Sequence, residues 1–588
     1  MQPKVMSHPP VPNFHAVHWQ QRKAWQTHWH ALDTAFGRGD AFLQTLQAWQ
    51  QDANAPHTLF FTAFAAEPPK HIHPLIATSC FGLLPGVHRI VFEQGKVQLT
   101  LCIGPTPAMA REIDMAADSI CIDSLDLWHT KALVRFSKVQ TVLQWRDASP
   151  QALVDLKLAG MLVNTRNATA QYKPLWTPRS ALRASMSSPK TAKRPSQHAV
   201  IIGAGLSGAA VAHSLAIRGW TVEVLDQADH MGAGASGLPA GIFATHVSPD
   251  NSILSRITRD GVRATIHRAN QLLKHGTHWQ LSNLLEHRYA GKRQLPRGDA
   301  WPAAGHEWST EASHEQRTAG GLRQDTAAMW HPLAGWIQTP VFVKSQLSHP
   351  NITWRGACHV AKLQRVNSIW QVLDPQGKAL AQTNCLVLAN AHQCQSLIDT
   401  VEGTDTADGV QRPRLPTTAL RGQVTWGSMA LLPASLKNKL PVFPMNGHGS
   451  YIGNLKALTD CTSDTHWLVG SSFQRNDLDL RTRQEDQKSN IQQWAELMPA
   501  LQAEIQHSVD PANMHAWAGI RCALPDRVPA VGEFAHPDFE SLHVCTGMGA
   551  RGISLSVLCG EVLAAHLNHE PLPMALSLAK LMSASRFG

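Results

Sequence analysis

The chain has 588 residues, and this length predicts about two to four domains. Hydrophobic residues make up 43% and charged residues 16% of the chain, which excludes a disordered or collagen-like protein. No run of about 18 apolar residues occurs, and the first residues lack the apolar core of a secretory signal. The sequence therefore predicts a soluble, cytoplasmic protein that does not contact a membrane.

The formal net charge of +9 lies mostly in the N-terminal part of the chain. Residues 157–194 contain eight basic residues and no acidic one. A basic segment attracts phosphate groups and so indicates nucleic acid, although a solvated linker explains the charge equally well. The cysteines and histidines do not have the spacing of a metal site, so no metal is predicted.

In chain order, three regions are predicted. Residues 1–175 alternate apolar runs (58–64, 97–103 and 119–125) with polar helical stretches, which is typical of a mixed α/β domain. Residues 176–197 are rich in Ser, Pro, Ala and Lys and have no apolar periodicity, so they are predicted to be a basic linker. Residues 198–588 form a second α/β domain that begins with a strand–helix–strand unit.

That unit carries a dinucleotide-binding pattern. An apolar strand at 199–202 is followed by Gly203, Gly205 and Gly208 in G-x-G-x-x-G spacing, then by a helix that ends before Gly219. The next strand ends at Asp226, where a carboxylate can accept hydrogen bonds from an adenosine ribose. An anionic pyrophosphate is expected at the N-terminus of the helix.

Three later segments favour FAD over a nicotinamide cofactor. A small-residue loop lies at 232–237, a buried strand runs into a small-residue turn at 386–392, and a second glycine-rich helix start lies at 547–552. The free backbone amides of this second helix start suit the edge of the flavin that becomes negatively charged on reduction. The predicted cofactor-binding residues are Gly203, Ala204, Gly205, Leu206, Ser207, Gly208, Asp226, Gly234, Ala235, Ser236, Gly237, Ala389, Gly549, Arg551 and Gly552.

The order of these motifs resembles one family. The motifs GxGxxG, GASG, HPLAGWIQTP (331–340), LRGQVTW (420–426), GSSFQRNDLD (470–479), GIRCALPDRVPAVG (519–532) and GMGARGISLSVLCGEVLAAHL (547–567) are similar to the MnmC family of bifunctional tRNA 5-methylaminomethyl-2-thiouridine biosynthesis proteins. The resemblance implies a Rossmann-like methyltransferase-type domain followed by a D-amino-acid-oxidase-like FAD domain. In the FAD domain that the resemblance implies, a mixed sheet covers the substrate.

The resemblance also implies a function and a partner. The FAD half of this family removes the carboxymethyl group from 5-carboxymethylaminomethyluridine at the wobble position of the tRNA anticodon loop, and the N-terminal half methylates the resulting amine with S-adenosylmethionine. The other function that we consider is a small-molecule amine or amino-acid oxidase of the glycine or sarcosine oxidase type. A noncatalytic protein with a structural flavin is a third hypothesis. The sequence indicates no oligomeric state.

Three residues are candidates for catalysis. Arg521 resembles the arginine that clamps a substrate carboxylate in this enzyme class, although an ion pair with Asp526 is an equally good interpretation. Arg551 is placed to neutralise a reduced flavin, and Tyr451 either lines the pocket or is an ordinary strand tyrosine. Trp336 and Phe443 are candidate platforms for the wobble base.

The N-terminal half departs from the family pattern where the methyl donor would bind. The loop 35–43 carries Arg38 between its two glycines and Asp40 directly after the second, and Ala65 stands where the family has the ribose-binding glutamate. Glu67 replaces that acid only if the strand continues past Ala65. The catalytic turn keeps only the aspartate of residue 123. The sequence therefore predicts that S-adenosylmethionine binding and methylation are lost or weakened.

Overall fold

The computed structural model describes residues 13–23, 26–128, 130–173, 197–288, 294–296, 298, 301–402, 412–456, 464–509 and 514–587. The chain divides into two compact units. The first comprises Met1–Pro195 and His569–Leu576, and the second comprises Ser196–Asn568 and Ser577–Gly588. The predicted linker lies outside the described residues except for Gln197.

The first unit is built on an eight-stranded sheet whose five middle strands are parallel. Apolar and β-branched residues fill these strands, as expected for a sheet that is covered on both faces. The strands, in their order across the sheet, are Gly86–Phe92, Val97–Ile103, Thr58–Ala65, His28–Asp33, Ala117–Ser124, Ser137–Asp147, Thr169–Tyr172 and Met161–Asn164.

The helices of the first unit cover this sheet, and the C-terminal segment 569–576 also belongs to it. Arg89 in the edge strand donates from Nη2 to the carbonyl oxygens of Pro571 and Leu572, at 2.6 and 3.3 Å, and the Leu576 amide donates to the Glu112 carbonyl at 2.8 Å. The helices are Phe14–Trp19, Asp40–Gln51, Pro74–Ala77, Thr106–Met109, Thr130–Phe136 and Pro150–Leu158.

The second unit begins with a six-stranded sheet in which five strands are parallel and the edge strand Ala530–Glu533 is antiparallel. One face packs on the three-stranded sheet Lys362–Val366, Ile369–Leu373 and Ala379–Thr383. The strands, in order, are Ile352–Arg355, Thr221–Leu225, His198–Ile202, Leu386–Leu388, Leu542–Thr546 and Ala530–Glu533.

A larger, mostly antiparallel sheet forms the rest of the second unit. Its strand Thr418–Ser428 pairs with three neighbours, Thr465–Gly470, Gln474–Arg475 and His515–Ala523. Helix Gln484–Leu497 packs on one face of this sheet. The remaining strands are Thr310–Glu311, Ala328–Trp330, Leu285–His287, Met445–Gly447 and Gly449–Lys456, and a separate sheet contains Gly241–Phe243, Gly335–Ile337 and Trp279–Leu281.

The helices of the second unit include one that is apolar enough to cross a membrane, at Gly549–Asn568. Because 67% of its apolar stretch is buried, it is explained as a core helix. The predicted α/β class is confirmed in both units. The helices are Leu206–Ala216, Ile253–Leu272, Ala303–His306, His314–Ala319, Thr339–Leu347, Cys394–Ile398, Ala434–Lys437, Gln484–Leu497, Gln502–Ser508, Gly552–Asn568 and Leu576–Met582.

Candidate functional site

A cavity of about 830 Å³ in the second unit brings most of the predicted site residues together. It extends from the glycine-rich loop after the first parallel strand to one face of the large sheet. The predicted residues that line it are Gly203, Gly205, Leu206, Ser207, Asp226, Gly234, Ala235, Ser236, Ala389, Gly549, Arg551, Gly552 and Arg521.

The glycines of the loop are required by close backbone contacts. Gly203 has a φ of 109°, and a Cβ there would lie 2.7 Å from the carbonyl oxygen of Ala389. A Cβ at Gly208 would lie 1.8 Å from the Gly203 carbonyl oxygen, so only glycine lets this helix approach the strand. Three of the predicted cofactor-binding residues do not line the cavity, namely Ala204, Gly208 and Gly237. The effect of Gly208 is indirect, because it sets how closely the helix packs on the strand.

Two helices begin at this cavity. The Leu206 amide in the first turn of Leu206–Ala216 donates to the Ser236 hydroxyl at 2.9 Å, and Gly552–Asn568 follows a 3₁₀ turn at Gly549–Arg551. The two helices pack so closely that a Cβ at Gly560 would lie 2.7 Å from the carbonyl oxygen of Ala210. Both positive dipole ends therefore face one space, which fits an anionic cofactor such as FAD.

Asp226 ends the second parallel strand and also lines the cavity. Its Oδ2 accepts from the Ala204 amide at 2.6 Å, and its Oδ1 accepts from the Ala228 amide at 2.9 Å. Each carboxylate oxygen can accept a further hydrogen bond, so this arrangement suits the hydroxyl groups of a ribose. The glycine loop, the helix starts and Asp226 together match the parts of a flavin dinucleotide.

At the other end of the cavity lies Arg521, in strand His515–Ala523. Its Nη2 donates to the Ser471 hydroxyl at 2.5 Å, and Gly422 leaves room for the guanidinium, since a Cβ there would lie 2.6 Å from Nη2. Burial lowers the pKa of this guanidinium. Within the described part of the chain no carboxylate forms an ion pair with Arg521, and Asp526 pairs instead with Arg586 at 3.1 Å. The interpretation as an Arg521–Asp526 pair is therefore wrong.

The cavity also contains a buried carboxylate that sequence reasoning missed. Glu286 lines the wall and is 4% exposed, and its Oε2 is 3.1 Å from His331 Nε2. His331 Nδ1 is 2.7 Å from the Ser309 hydroxyl. Because a carboxylate oxygen accepts, we assign the proton to Nε2 of His331. Only the folded structure joins these residues, because they come from separate segments with no shared motif.

The prediction that Tyr451 lines the pocket is wrong. Ser450 and Ile452 line the cavity, so the side chain between them points to the opposite face of the strand. Tyr451 is fully buried there and stacks on Trp494, with ring centroids 5.6 Å apart. Burial raises the pKa of its hydroxyl group.

The two predicted base platforms also lie in the core. Trp336 is 3% exposed and packs among Ala240 and Val424, and Phe443 is 9% exposed and meets Trp330 edge-on at 4.9 Å. Neither lines the cavity. Phe473 is an exposed aromatic residue of the cavity wall, and it was not among the predicted base platforms.

In the first unit, strand Thr58–Ala65 ends at Ala65, and Glu67 lies beyond it with an exposed side chain. Glu67 therefore does not continue the strand. In the glycine loop, a Cβ at Gly39 would lie 2.6 Å from the side chain of Ile76. Asp123 lies 3.4 Å from Arg146.

The chain matches known proteins along most of its length. Residues 198–566 match the family model of FAD-dependent oxidoreductases. Over 95% of this chain and 91% of the relative, it is 39% identical to a tRNA 5-methylaminomethyl-2-thiouridine biosynthesis bifunctional protein MnmC from Polaromonas sp. (strain JS666 / ATCC BAA-500). It is 37% identical, with the same shares covered, to the protein of that name from Delftia acidovorans.

Among solved structures, glycine oxidase from Geobacillus kaustophilus aligns with a TM-score of 0.51 and 19% identity. The alignment covers 66% of this chain and 98% of that one. This likeness shows a shared fold.

Proposed function

Because the chain belongs to the MnmC family and contains its FAD-dependent oxidoreductase domain, we propose that it removes the carboxymethyl group from 5-carboxymethylaminomethyluridine at the tRNA wobble position. Bound FAD would supply the acceptor for the hydride that leaves the carbon beside the amine. Loss of the hydride and of the amine proton gives an imine, and water hydrolyses its C=N bond. The products are 5-aminomethyluridine, with or without sulfur at position 2, and glyoxylate, whose aldehyde oxygen comes from that water. A cytoplasmic location, where tRNA is found, goes with this proposal.

The observation that carries the proposal is the Arg521 guanidinium in the wall of the cofactor cavity. The Arg521 guanidinium has no acidic partner among the described residues, and it can bind a substrate carboxylate through two parallel hydrogen bonds. Glu286 lies on the wall of the same cavity and can accept the amine proton, which must leave before a hydride departs from the neighbouring carbon. A carboxymethylamino group offers both the carboxylate that Arg521 would bind and the amine proton that Glu286 would accept. Arg551 in the turn before the second helix supplies positive charge at the cofactor end.

The test is anaerobic reduction of the protein-bound flavin, followed by its absorbance. We expect tRNA that carries 5-carboxymethylaminomethyluridine to bleach the flavin, and tRNA with an unmodified wobble uridine to leave it oxidised. Glycine and sarcosine serve as the comparison for the alternative function. Bleaching by these amino acids without bleaching by the modified tRNA would contradict the proposal and favour a small-molecule amine oxidase.

We further propose that the first unit does not bind S-adenosylmethionine, so that the product stays unmethylated. Three observations support this. No acid stands at the end of strand Thr58–Ala65, Ile76 covers the glycine loop at Gly39, and Asp123 is close to Arg146. A Rossmann-like domain normally holds the ribose of its ligand with that missing acid.

A further inference from the structure

Three large apolar side chains are exposed at the edge of the cavity. Phe473, Leu478 and Leu480 are 54%, 58% and 53% exposed, and all three line the cavity wall. They belong to one segment, residues 471–483, which we call the rim loop. Clustered exposed apolar side chains beside a binding cavity indicate a surface that a ligand covers.

The rim loop is held in place by Arg421, whose side chain is fully buried. Its guanidinium donates to the carbonyl oxygens of Asp479 and Arg481, at 2.5 and 2.7 Å, and to Oδ2 of Asp486 at 2.5 Å. A buried, charge-assisted network of this kind fixes the backbone that it contacts. The apolar side chains are therefore presented by an ordered loop.

The rim loop begins where the substrate carboxylate would be held. Ser471, its first residue, accepts the hydrogen bond from Arg521, and Phe473 follows two residues later, about 7 Å along an extended chain. In the proposed substrate a methylene–amine–methylene chain separates the carboxylate from the pyrimidine ring. A substrate anchored at Arg521 would thus bring its base to Phe473.

We propose that Phe473 stacks on the wobble pyrimidine of tRNA and that Leu478 and Leu480 pack beside it. This inference rests on the proposed function. A flat apolar ring at the entrance of a cavity suits a nucleobase that has left its stack, because aromatic stacking tolerates any base and excludes water. Arg475 is exposed on the same loop and has no ion-pair partner in the described residues, so its guanidinium can contact a phosphate.

The experiment compares Phe473→Ala with the wild-type holoenzyme, using tRNA that carries 5-carboxymethylaminomethyluridine. Loss of one base-stacking contact is expected to raise KM for flavin reduction by about tenfold, with a smaller change in kcat. Phe473→Trp keeps an aromatic face and should restore KM. Leu431→Ala is the matched control, because Leu431 is 71% exposed and does not line the cavity.

A second measurement is equilibrium binding of the same tRNA, with tRNA carrying an unmodified wobble uridine as reference. Phe473→Ala should weaken binding of both, since both present a pyrimidine ring. An unchanged KM and an unchanged affinity would overturn the inference, as would a changed monomer–dimer equilibrium with unchanged tRNA affinity. If Phe473→Ala fails to fold, Leu478→Ala must raise KM in the same direction. Failure of the modified tRNA to reduce the wild-type flavin would instead contradict the proposed function itself.

Discussion

Arg521 carries a charge in a partly buried position without an acidic partner among the described residues. Withdrawing a charge from water is costly unless the charge is paired, and the lowered pKa of this guanidinium reflects that cost. Its neutral partner, the Ser471 hydroxyl, orients the side chain without neutralising it. Such a residue is explained by a ligand that brings the missing anion.

For Arg521→Met we expect kcat/KM with the modified tRNA to fall by about 30-fold or more, because truncating a buried charged hydrogen-bond partner costs about 2–5 kcal/mol. Arg521→Lys should retain part of the activity, since an ammonium keeps the charge but not the planar fork. Anaerobic stopped-flow reduction measures the change. The exposed Arg527 gives the control Arg527→Met, and wild-type kinetics for Arg521→Met would disprove the clamp.

Three helices of the second unit are joined at one carboxylate, and two of them begin at the cavity. Glu561 in Gly552–Asn568 accepts from Arg218 at 2.9 Å, from Arg268 at 2.8 Å and from the Ser214 hydroxyl at 2.7 Å. Burial alone would raise the pKa of Glu561, but the two guanidinium groups lower it to about 2. This network keeps both helix N-termini directed at the cofactor space.

Because the pKa of Glu561 lies below its ordinary value of 4.5, the charge stabilises the fold above about pH 4.5, and this stabilisation is lost as the pH falls towards 2. Glu561→Gln should therefore lower the free energy of unfolding by about 3 kcal/mol at pH 7. At pH 3.5 the difference from wild type should be smaller by about 1 kcal/mol. Denaturant titration at both pH values measures it.

The exposed pair Lys439–Glu504, 2.8 Å apart, offers a control for this prediction. Glu504→Gln should leave the free energy of unfolding nearly unchanged, because solvent screens an exposed ion pair. If Glu561→Gln lowers the free energy of unfolding by the same amount at pH 7 and at pH 3.5, the charge of the carboxylate is not what stabilises the three helices.

The molecule as a whole combines two units that each contain a mainly parallel sheet. The units differ in which ligand-site residues they carry. The second carries a cavity that most of the predicted cofactor-binding residues line, and the first carries a sheet whose strand Thr58–Ala65 ends without an acid. The C-terminal segment 569–576 is part of the first unit through Arg89 and Glu112. A role of the first unit in packing or in tRNA docking would fit the proposed loss of S-adenosylmethionine binding.

Calorimetric titration of the full chain with S-adenosylmethionine tests the loss of methylation. We expect no binding heat above dilution at micromolar concentrations, because the ribose acid is missing. Nucleosides of tRNA from a strain that relies on this chain alone should contain the aminomethyl form. Micromolar binding, or the methylaminomethyl form in a strain without another methyltransferase, would refute the prediction.

The family, the α/β class and the FAD-dependent domain predicted from the motifs are confirmed. The outcome for the individual site residues depends on whether a spaced motif or only the residue type indicated them. Gly203, Gly205 and Asp226, predicted to bind the cofactor, line the cavity, whereas Tyr451, Trp336 and Phe443 lie in the core. Residue type alone selected these last three, and type does not tell which face of a strand a side chain occupies.

The amino-acid sequence by itself determined the dinucleotide loop, because its glycines, helix and terminal acid lie within one short segment and interact with their neighbours along the chain. Only the tertiary structure decided that Arg521 meets no acidic partner among the described residues, that Glu286 contacts His331, and that Phe473 is exposed. Each of these depends on contacts between segments far apart in the chain. Strand register and the packing of a second layer set such contacts, and neither is encoded locally.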